Sequence, residues 1–273
     1  MIIFTTCKIN LGLNIISRRP DGYHNLSTIM IPVDWGDILE IVPASGDKTT
    51  LTVLGREVDC PAEDNLVMRA YRALDSIKPL PPVDIFLEKI VPDGAGLGGG
   101  SADASFTLSA LNKMFNLGFS LDRLASIAAT IGADCPLFIY NRPMLATGTG
   151  TTLTPVDIDL SHYYILIVKP PVKISTREAY SGITPSPWPR PLECLTGPDF
   201  ITNCPHNDFE DSVFQANPML ADIKQTLIEN GAAYASMSGS GSAIFGLFRS
   251  ETDAIHAADT APDGCITRIC HAI

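Results

Sequence analysis

Pro92-Asp93-Gly94-Ala95-Gly96-Leu97-Gly98-Gly99-Gly100-Ser101 is the stretch on which the reading of this chain turns. Glycine fills five of the seven positions from Gly94 to Gly100. Glycine reaches positive φ without steric cost but loses the most chain entropy on folding, so a bare turn has no reason to carry so many. A strand pattern over residues 83–88 precedes the bend, and from Ser101 onward Ala104, Leu108, Leu111 and Phe115 recur at helical spacing. A backbone that curls between a strand and a helix can turn several N–H groups inward beside the positive end of the helix dipole. That is an anion cradle suited to a polyphosphate.

Two common glycine motifs do not fit. A Walker loop ends in Gly-Lys-Ser/Thr, and no lysine stands here. Gly94-x-Gly96-x-x-Gly99 meets the dinucleotide pattern, but that pattern wants a second strand after the helix, ending in an acidic residue ~20 positions on. A second helix comes instead: Ser120 is a good N-cap, Leu124, Ile127, Ala128 and Ile131 follow at helical spacing, and Gly132 ends the run. A glycine-rich turn without a ligand is the plain alternative. A second cluster, Met237-Ser238-Gly239-Ser240-Gly241-Ser242, precedes a strand pattern over residues 243–248. By itself it is a common Gly/Ser turn before a strand.

Outward from the loop, the chain opens with alternation. Ile9, Leu11, Leu13 and Ile15 are apolar, with Lys8, Asn10, Gly12 and Asn14 between them, which predicts a strand with one buried face. Lys8 and Asn10 project from the same side, about 6–7 Å apart along it. Pro20-Asp21-Gly22 is a turn signal. Further strands are expected at residues 38–42 and 51–54, and a helix at 65–76. Asp134 follows Gly132 at a helix end and is backed by Pro136, which sets its carboxylate on a rigid corner; a turn aspartate would look the same. After Pro155 the texture changes, with a strand at 163–168, a Pro-rich polar region at 170–205 and a helix at 218–229. The pattern predicts an α+β protein of two domains, residues 1–157 and 158–273.

Composition bounds the function. The 273 residues are 45% apolar and 18% charged, with a net charge of −11. Such a chain packs a core, and without a Lys/Arg cluster it does not suit nucleic acid. It can still hold a nucleotide on backbone amides and a local cation. Seven scattered cysteines without a Cys-x-x-Cys pair argue against disulfides or a zinc site. The five histidines show no ligand spacing, so no metal site is expected. The N-terminus is not a signal peptide and no apolar run reaches membrane length. A cytoplasmic monomer or weak homodimer is expected.

The loop Pro-x-Gly-x-Gly-Leu-Gly-Gly-Gly-Ser-x-Asp-Ala resembles the phosphate-binding motif of the galactokinase, homoserine kinase, mevalonate kinase and phosphomevalonate kinase superfamily. Within it, Lys8-Ile9-Asn10-Leu11-x-Leu13-x-Ile15 and Arg19-x-Asp21-Gly22-Tyr23-His24-x-Leu26 are similar to the diphosphocytidyl-methylerythritol kinases, Asp-Gly-Tyr-His being the specific part. The likeness extends to Glu63-Asp64-Asn65-Leu66-Val67, Ile131-Gly132-Ala133-Asp134-Cys135-Pro136, Gly148-x-Gly150-x-x-Leu153-x-Pro155 and Asn207-Asp208, and so covers nearly the whole chain.

The resemblance implies a two-domain kinase fold, with a ribosomal-protein-S5-like nucleotide domain followed by a ferredoxin-like domain. It implies transfer of the ATP γ-phosphate, with Mg²⁺ accompanying the nucleotide, to the 2-hydroxyl of 4-diphosphocytidyl-2-C-methyl-D-erythritol in the non-mevalonate isoprenoid route. It makes Asp134 the base and Lys8 its partner. It gives ATP to Asn65, Leu66, Pro92, Gly94, Ala95, Gly96, Leu97, Gly98, Gly99, Gly100, Ser101 and Ala102, and the phosphate side to Ser238, Gly239, Ser240 and Gly241. It gives the cytidyl substrate to Asn10, Tyr23, His24, Thr176 and Tyr180, with the two tyrosines stacking on the cytosine and His24 bonding its edge. A turn role for His24 and a core role for Tyr180 are the alternatives. Ala102 and Thr151 stand where relatives often carry Ser/Thr and Glu, and residues 185–205 match no motif. The rival readings are a superfamily kinase for mevalonate or homoserine, which Asp21–His24 counts against, and a non-catalytic nucleotide-binding relative.

Overall fold

A computed structural model describes residues 1–58, 60–185, 192, 201 and 206–273. Most of the 185–205 segment therefore lies outside the described residues. The chain forms two compact units that interleave in sequence. One holds Met1–Cys7, Trp35–Asp93 and Gly98–Arg142; the other holds Lys8–Asp34, Gly94–Leu97 and Pro143–Ile273. These units do not divide at residue 157, because hydrogen-bonded ladders tie the N-terminal strands to strands beyond residue 143.

The first unit carries a four-stranded sheet in the order β1 (Ile2–Phe4), β4 (Ile38–Pro43), β6 (Val83–Lys89), β5 (Thr50–Gly55). β5 and β6 run parallel, joined through α1 (Leu66–Asp75). Asn65 caps α1, its side-chain oxygen accepting from Val67 N at 2.9 Å. Val67, Ala70, Tyr71 and Leu74 then recur on one buried stripe. α2 (Gly99–Met114) starts two residues before the expected Ser101. It is buried around most of its girth, which its many Ala, Ser and Gly residues allow. α3 (Leu121–Ala129) begins on Ser120 as expected and stops at Thr130, short of Gly132. Leu39, Ile41, Ile85, Leu87, Leu108, Leu111 and Leu124 join these stripes into one core. Each such large apolar side chain contributes about 1.5–3 kcal/mol when fully buried.

The second unit contains two sheets. One runs β2 (Cys7–Arg18), β3 (His24–Val33), β7 (Met144–Gly148), β8 (Thr152–Pro155). The other is antiparallel, in the order β10 (Tyr234–Met237), β11 (Ile244–Phe248), β9 (Tyr164–Lys169), β12 (Ile266–Cys270). Between β9 and β10 come α5 (Thr176–Ser181), α6 (Phe209–Ala216) and α7 (Pro218–Glu229); α8 (Glu251–Asp259) joins β11 to β12. This strand order and connectivity are ferredoxin-like, as expected for the C-terminal half. Among the described residues, no helix is long and apolar enough to cross a membrane.

The opening strand departs from expectation. β2 is buried on both faces: Lys8, Asn10 and Asn14 are as enclosed as Ile9, Leu11 and Ile15. Alternation marks a boundary between two environments, and here the second environment is a polar interior rather than water.

Candidate active site

In the second unit, Gly94–Leu97 is pinned from three sides. Lys8 N donates to Leu97 O at 2.8 Å, Ala243 N donates to Ala95 O at 3.0 Å, and the Ser238 hydroxyl donates to Gly96 O at 2.9 Å. The two glycine turns therefore lie against each other, and at Gly96 there is no room for a side chain: a Cβ would stand 1.9 Å from Ser238 O. Gly94, Gly96 and Gly98 have φ of 61°, 76° and 70°. Left-handed residues alternate with Ala95 and Leu97, which are buried. Such alternation turns successive amides toward one side, the geometry of an anion-binding nest.

The Lys8 side chain is 3% exposed, and its ammonium donates to Asn10 Oδ1 at 2.6 Å. Asn10 in turn donates to Thr28 Oγ1 at 2.9 Å, and Thr28 donates to Gly12 O at 2.6 Å. Gly239 backs onto this cation, since a Cβ there would lie 3.2 Å from Lys8 Nζ. The expected pair on β2 is thus a fixed polar relay that ends beside both glycine turns. Ser240 meets Thr176 through their hydroxyls at 3.4 Å. Ser238 and Gly241 close the same turn, with Gly241 N donating to Ser238 O at 3.0 Å.

One residue that holds this turn was quoted in the sequence without a role. Asn207 is fully buried, and its amide nitrogen donates to Met237 O at 2.8 Å and Gly239 O at 2.7 Å. Its oxygen accepts from Phe209 N at 3.0 Å. Asp208 accepts from Ile15 N at 2.6 Å, so the Asn-Asp pair stitches the turn to β2. Glu210 adds a further tie, accepting from Met237 N and the Ser236 hydroxyl at 2.7 Å each.

The second unit also holds a cavity of about 490 Å³, lined by Asp21, Gly22, Tyr23, His24, Thr149, Thr176, Arg177 and Tyr180. His24 stacks on Tyr180, ring centroids 4.7 Å apart and planes 18° from parallel. Tyr180 meets the Phe209 edge at 4.8 Å, whereas Tyr23 is 68% exposed. Tyr180 is half-buried against the core that contains Phe209, and His24 is not an isolated turn residue. The ring lying on Tyr180 is His24, a pairing that no spacing in the sequence indicates. Burial, and secondarily Arg18, push the His24 imidazole below its usual value, which favours the neutral ring at pH 7. A neutral ring offers one donor and one acceptor nitrogen.

The first unit contains Asn65, Leu66, Pro92, Gly98 to Ala102 and Asp134. Gly98 is the N-cap of α2, and Ala102 N donates to Gly98 O at 2.9 Å. Gly99 packs against Val91, with 3.1 Å from a Cβ to Val91 Cγ1. Leu66 lies over Gly100, where a Cβ would be 3.7 Å from Leu66 Cδ1. Asn65 has its side-chain oxygen committed to capping α1. The Ser101 hydroxyl lies near Gly132, at 3.7 Å from a Cβ there. Asp134, half-buried, is the N-cap residue of the short helix α4 (Cys135–Tyr140), with Pro136 behind it in the first turn. It belongs to the start of a new element as much as to the end of α3.

Under the α2 N-terminus sits a buried ion cluster that the sequence did not announce. Lys89, at the end of β6, bonds Asp37 and, at 2.8 Å, Asp103. Asp37 Oδ1 also accepts from Ile90 N and Val91 N, and Thr5 donates to Asp103 at 3.2 Å. Burial of the Lys89 ammonium opposes its charge, but Asp103 and Asp37 outweigh it and hold its pKa above the ordinary lysine value. Burial pushes the Asp103 carboxyl up to about 7; Lys89 pulls it down and Asp37 adds to the rise. Against an unfolded value of ~3.9, the folded state holds this proton more tightly. The stability from that proton is complete below about pH 4 and is lost as pH climbs toward about 7. Asp103→Asn removes the titration, so its stability relative to wild type is expected to improve across that window in urea unfolding. A wild-type-minus-variant difference independent of pH would refute the assignment.

Comparison with known proteins bears out the resemblance. The GHMP kinases N terminal domain matches residues 65–142, and the GHMP kinases C terminal domain matches residues 199–266. Fold and glycine turns thus define a kinase of the GHMP class. The 4-diphosphocytidyl-2-C-methyl-D-erythritol kinase of Parabacteroides distasonis is 51% identical over 92% of this chain and 93% of its own. The enzyme of that name from Porphyromonas gingivalis is 46% identical over 95% of this chain and 96% of its own. A crystal structure of 4-(cytidine 5'-diphospho)-2C-methyl-D-erythritol kinase superposes with a TM-score of 0.82 at 29% identity, covering 100% of this chain and 99% of that one. Homoserine kinase from Cytophaga hutchinsonii, at 18% identity over 98% of this chain and 94% of its own, shares the fold with a TM-score of 0.72. The chain belongs to the 4-diphosphocytidyl-2-C-methyl-D-erythritol kinase family.

Proposed function

We propose that the protein transfers the γ-phosphate of ATP to the 2-hydroxyl of 4-diphosphocytidyl-2-C-methyl-D-erythritol, acting in the cytoplasm as a monomer or weak homodimer. The observation that carries this reading is the buried Lys8–Asn10 relay set against two interlocked glycine turns. A fixed ammonium beside inward-turned amides is what a transferring phosphoryl group requires, because its transition state is stabilised mainly by position and charge.

In this reading Gly94 to Ala102 and the Ser238–Gly241 turn hold the phosphates, with Pro92 leading into the loop. Asn65 and Leu66 border the adenine, Asn65 through its backbone since its side-chain oxygen caps α1. Asp134 orients the hydroxyl and takes its proton, and Lys8 offsets charge on the phosphoryl oxygens. Asn10 holds the Lys8 ammonium in place. Tyr23, His24, Thr176 and Tyr180 receive the cytidine. Cytosine entry between Tyr23 and Tyr180 requires the His24 ring to leave the face of Tyr180. The freed neutral imidazole can then bond the base edge. Stacking contributes roughly 1–3 kcal/mol per base. Among the described residues, no group of three or more His, Cys, Asp or Glu could hold a metal. In this reading an Mg²⁺ ion arriving with ATP rests on phosphate oxygens and water.

The reading is tested by ADP release from the purified protein with ATP and Mg²⁺, offering the cytidyl substrate, mevalonate and homoserine in parallel. We expect kcat/KM for the cytidyl substrate to exceed the others by on the order of 10⁴, since the latter leave a built polar pocket unpaired. Comparable turnover of mevalonate or homoserine, or none with the cytidyl compound, would overturn it.

A further inference from the structure

We infer that Arg177 is a specificity residue that binds the diphosphate of the cytidyl substrate, so that the pocket selects a nucleoside diphosphate over the bare nucleoside. The inference rests on the cytidine reading of the cavity given above. Among the described residues, Arg177 is the only Lys or Arg lining that cavity. It forms no ion pair among the described residues, whereas the nearby Arg19 is committed to Asp21 at 2.8 Å. The same pair neutralises Asp21, the only carboxylate on the cavity wall among the described residues. His24 adds no full charge, because burial favours its neutral form. Among the described residues, the cavity wall therefore carries one uncompensated positive charge, on a chain whose net charge of −11 otherwise repels anions.

Position agrees with this role. Arg177 and Tyr180 stand three apart on α5, so their side chains share one face of the helix. A base held at Tyr180 sends its ribose and diphosphate along that face. The guanidinium fork matches two phosphate oxygens at once, which a lysine ammonium does not. Thr176, also on the wall, offers a hydroxyl beside it.

Calorimetry on the full chain, with cytidine and CDP as probes, tests the inference. Wild type should bind CDP at least tenfold more tightly than cytidine. In Arg177→Gln that advantage should shrink roughly tenfold, the worth of a charge-assisted bond, with cytidine affinity and the KM for ATP unchanged. Arg177→Lys should recover part of it. Arg177 is exposed, so neither variant threatens folding. An undiminished CDP advantage in Arg177→Gln overturns the inference. Tyr180→Ala separates the two readings. If it weakens cytidine while Arg177→Gln keeps its CDP advantage, only the arginine assignment fails. If it leaves cytidine unaffected, the cytidine reading of the cavity fails and this inference with it.

Discussion

Asp134→Asn is expected to lower kcat by about 10²–10⁴-fold, the usual contribution of a positioned general base, while the affinity for an ATP analogue stays within a few-fold of wild type. Asparagine is nearly isosteric with aspartate and fits the same backbone, φ −83° and ψ −14°, at the start of α4. The bond from Leu137 N to Asp134 O, 3.2 Å, uses the main chain and survives the change. The substitution removes the charge and with it the capacity to take a proton. An amide can still orient a hydroxyl, so the size of the loss separates two contributions. A loose phosphoryl-transfer transition state leans on orientation, which puts the effect toward the lower end. A larger loss would mean that proton transfer is well advanced. Coupled-assay kcat and a calorimetric Kd for the nucleotide decide it; a variant with wild-type kcat removes Asp134 from the chemistry.

Gly96→Ala should be strongly damaging for the addition of a single methyl. The added Cβ would lie 1.9 Å from the Ser238 carbonyl oxygen and 2.9 Å from its carbon. Both are backbone atoms and cannot swing aside as a side-chain tip can. The φ of 76° adds a left-handed penalty of about 1–2 kcal/mol, and overpacking adds about 1–3 kcal/mol. Together they correspond to a Tm lower by about 5–15 °C for a chain of this size. The two glycine turns must part, so the nucleotide Kd should rise as well. Gly94→Ala is the control. It has a similar φ of 61°, but nothing lies within 4 Å of its Cβ, so only the dihedral penalty applies. Equal Tm losses in the two variants would show that the close approach at Gly96 does not matter.

Local pattern made much of the fold legible. Ser120 was readable as a cap because a side-chain oxygen before a helical stripe has one obvious use, and it caps α3; Asn65, expected inside its helix, caps α1 instead. The strands near 38–42, 51–54 and 83–88 fall where alternation put them. β3 and β7 were not foreseen. Their ladder from Leu26–Gly148 to Met30–Met144 joins residues more than a hundred positions apart, and that pairing gives them their shape. The same ladder explains why the compact units ignore residue 157. The candidate site shows the same division. Glycines at 94, 96 and 98 advertise a left-handed backbone by themselves. Asn207 is an ordinary polar residue until Met237 and Gly239 are brought to it.

The order of residues alone thus settled the glycine bend and the helix it opens, because those depend on backbone freedom and on neighbours within a few positions, and the resemblance of motifs spread along the chain pointed to its family. Folding decided the rest: that Lys8 and Asn10 are sealed inside rather than washed by solvent, that His24 covers Tyr180, and that Lys89 is shared between Asp37 and Asp103. Each of these is a meeting of residues distant in sequence, or a loss of water around a polar group. Burial of that kind is set by the packing of whole elements, which no short stretch of the chain contains.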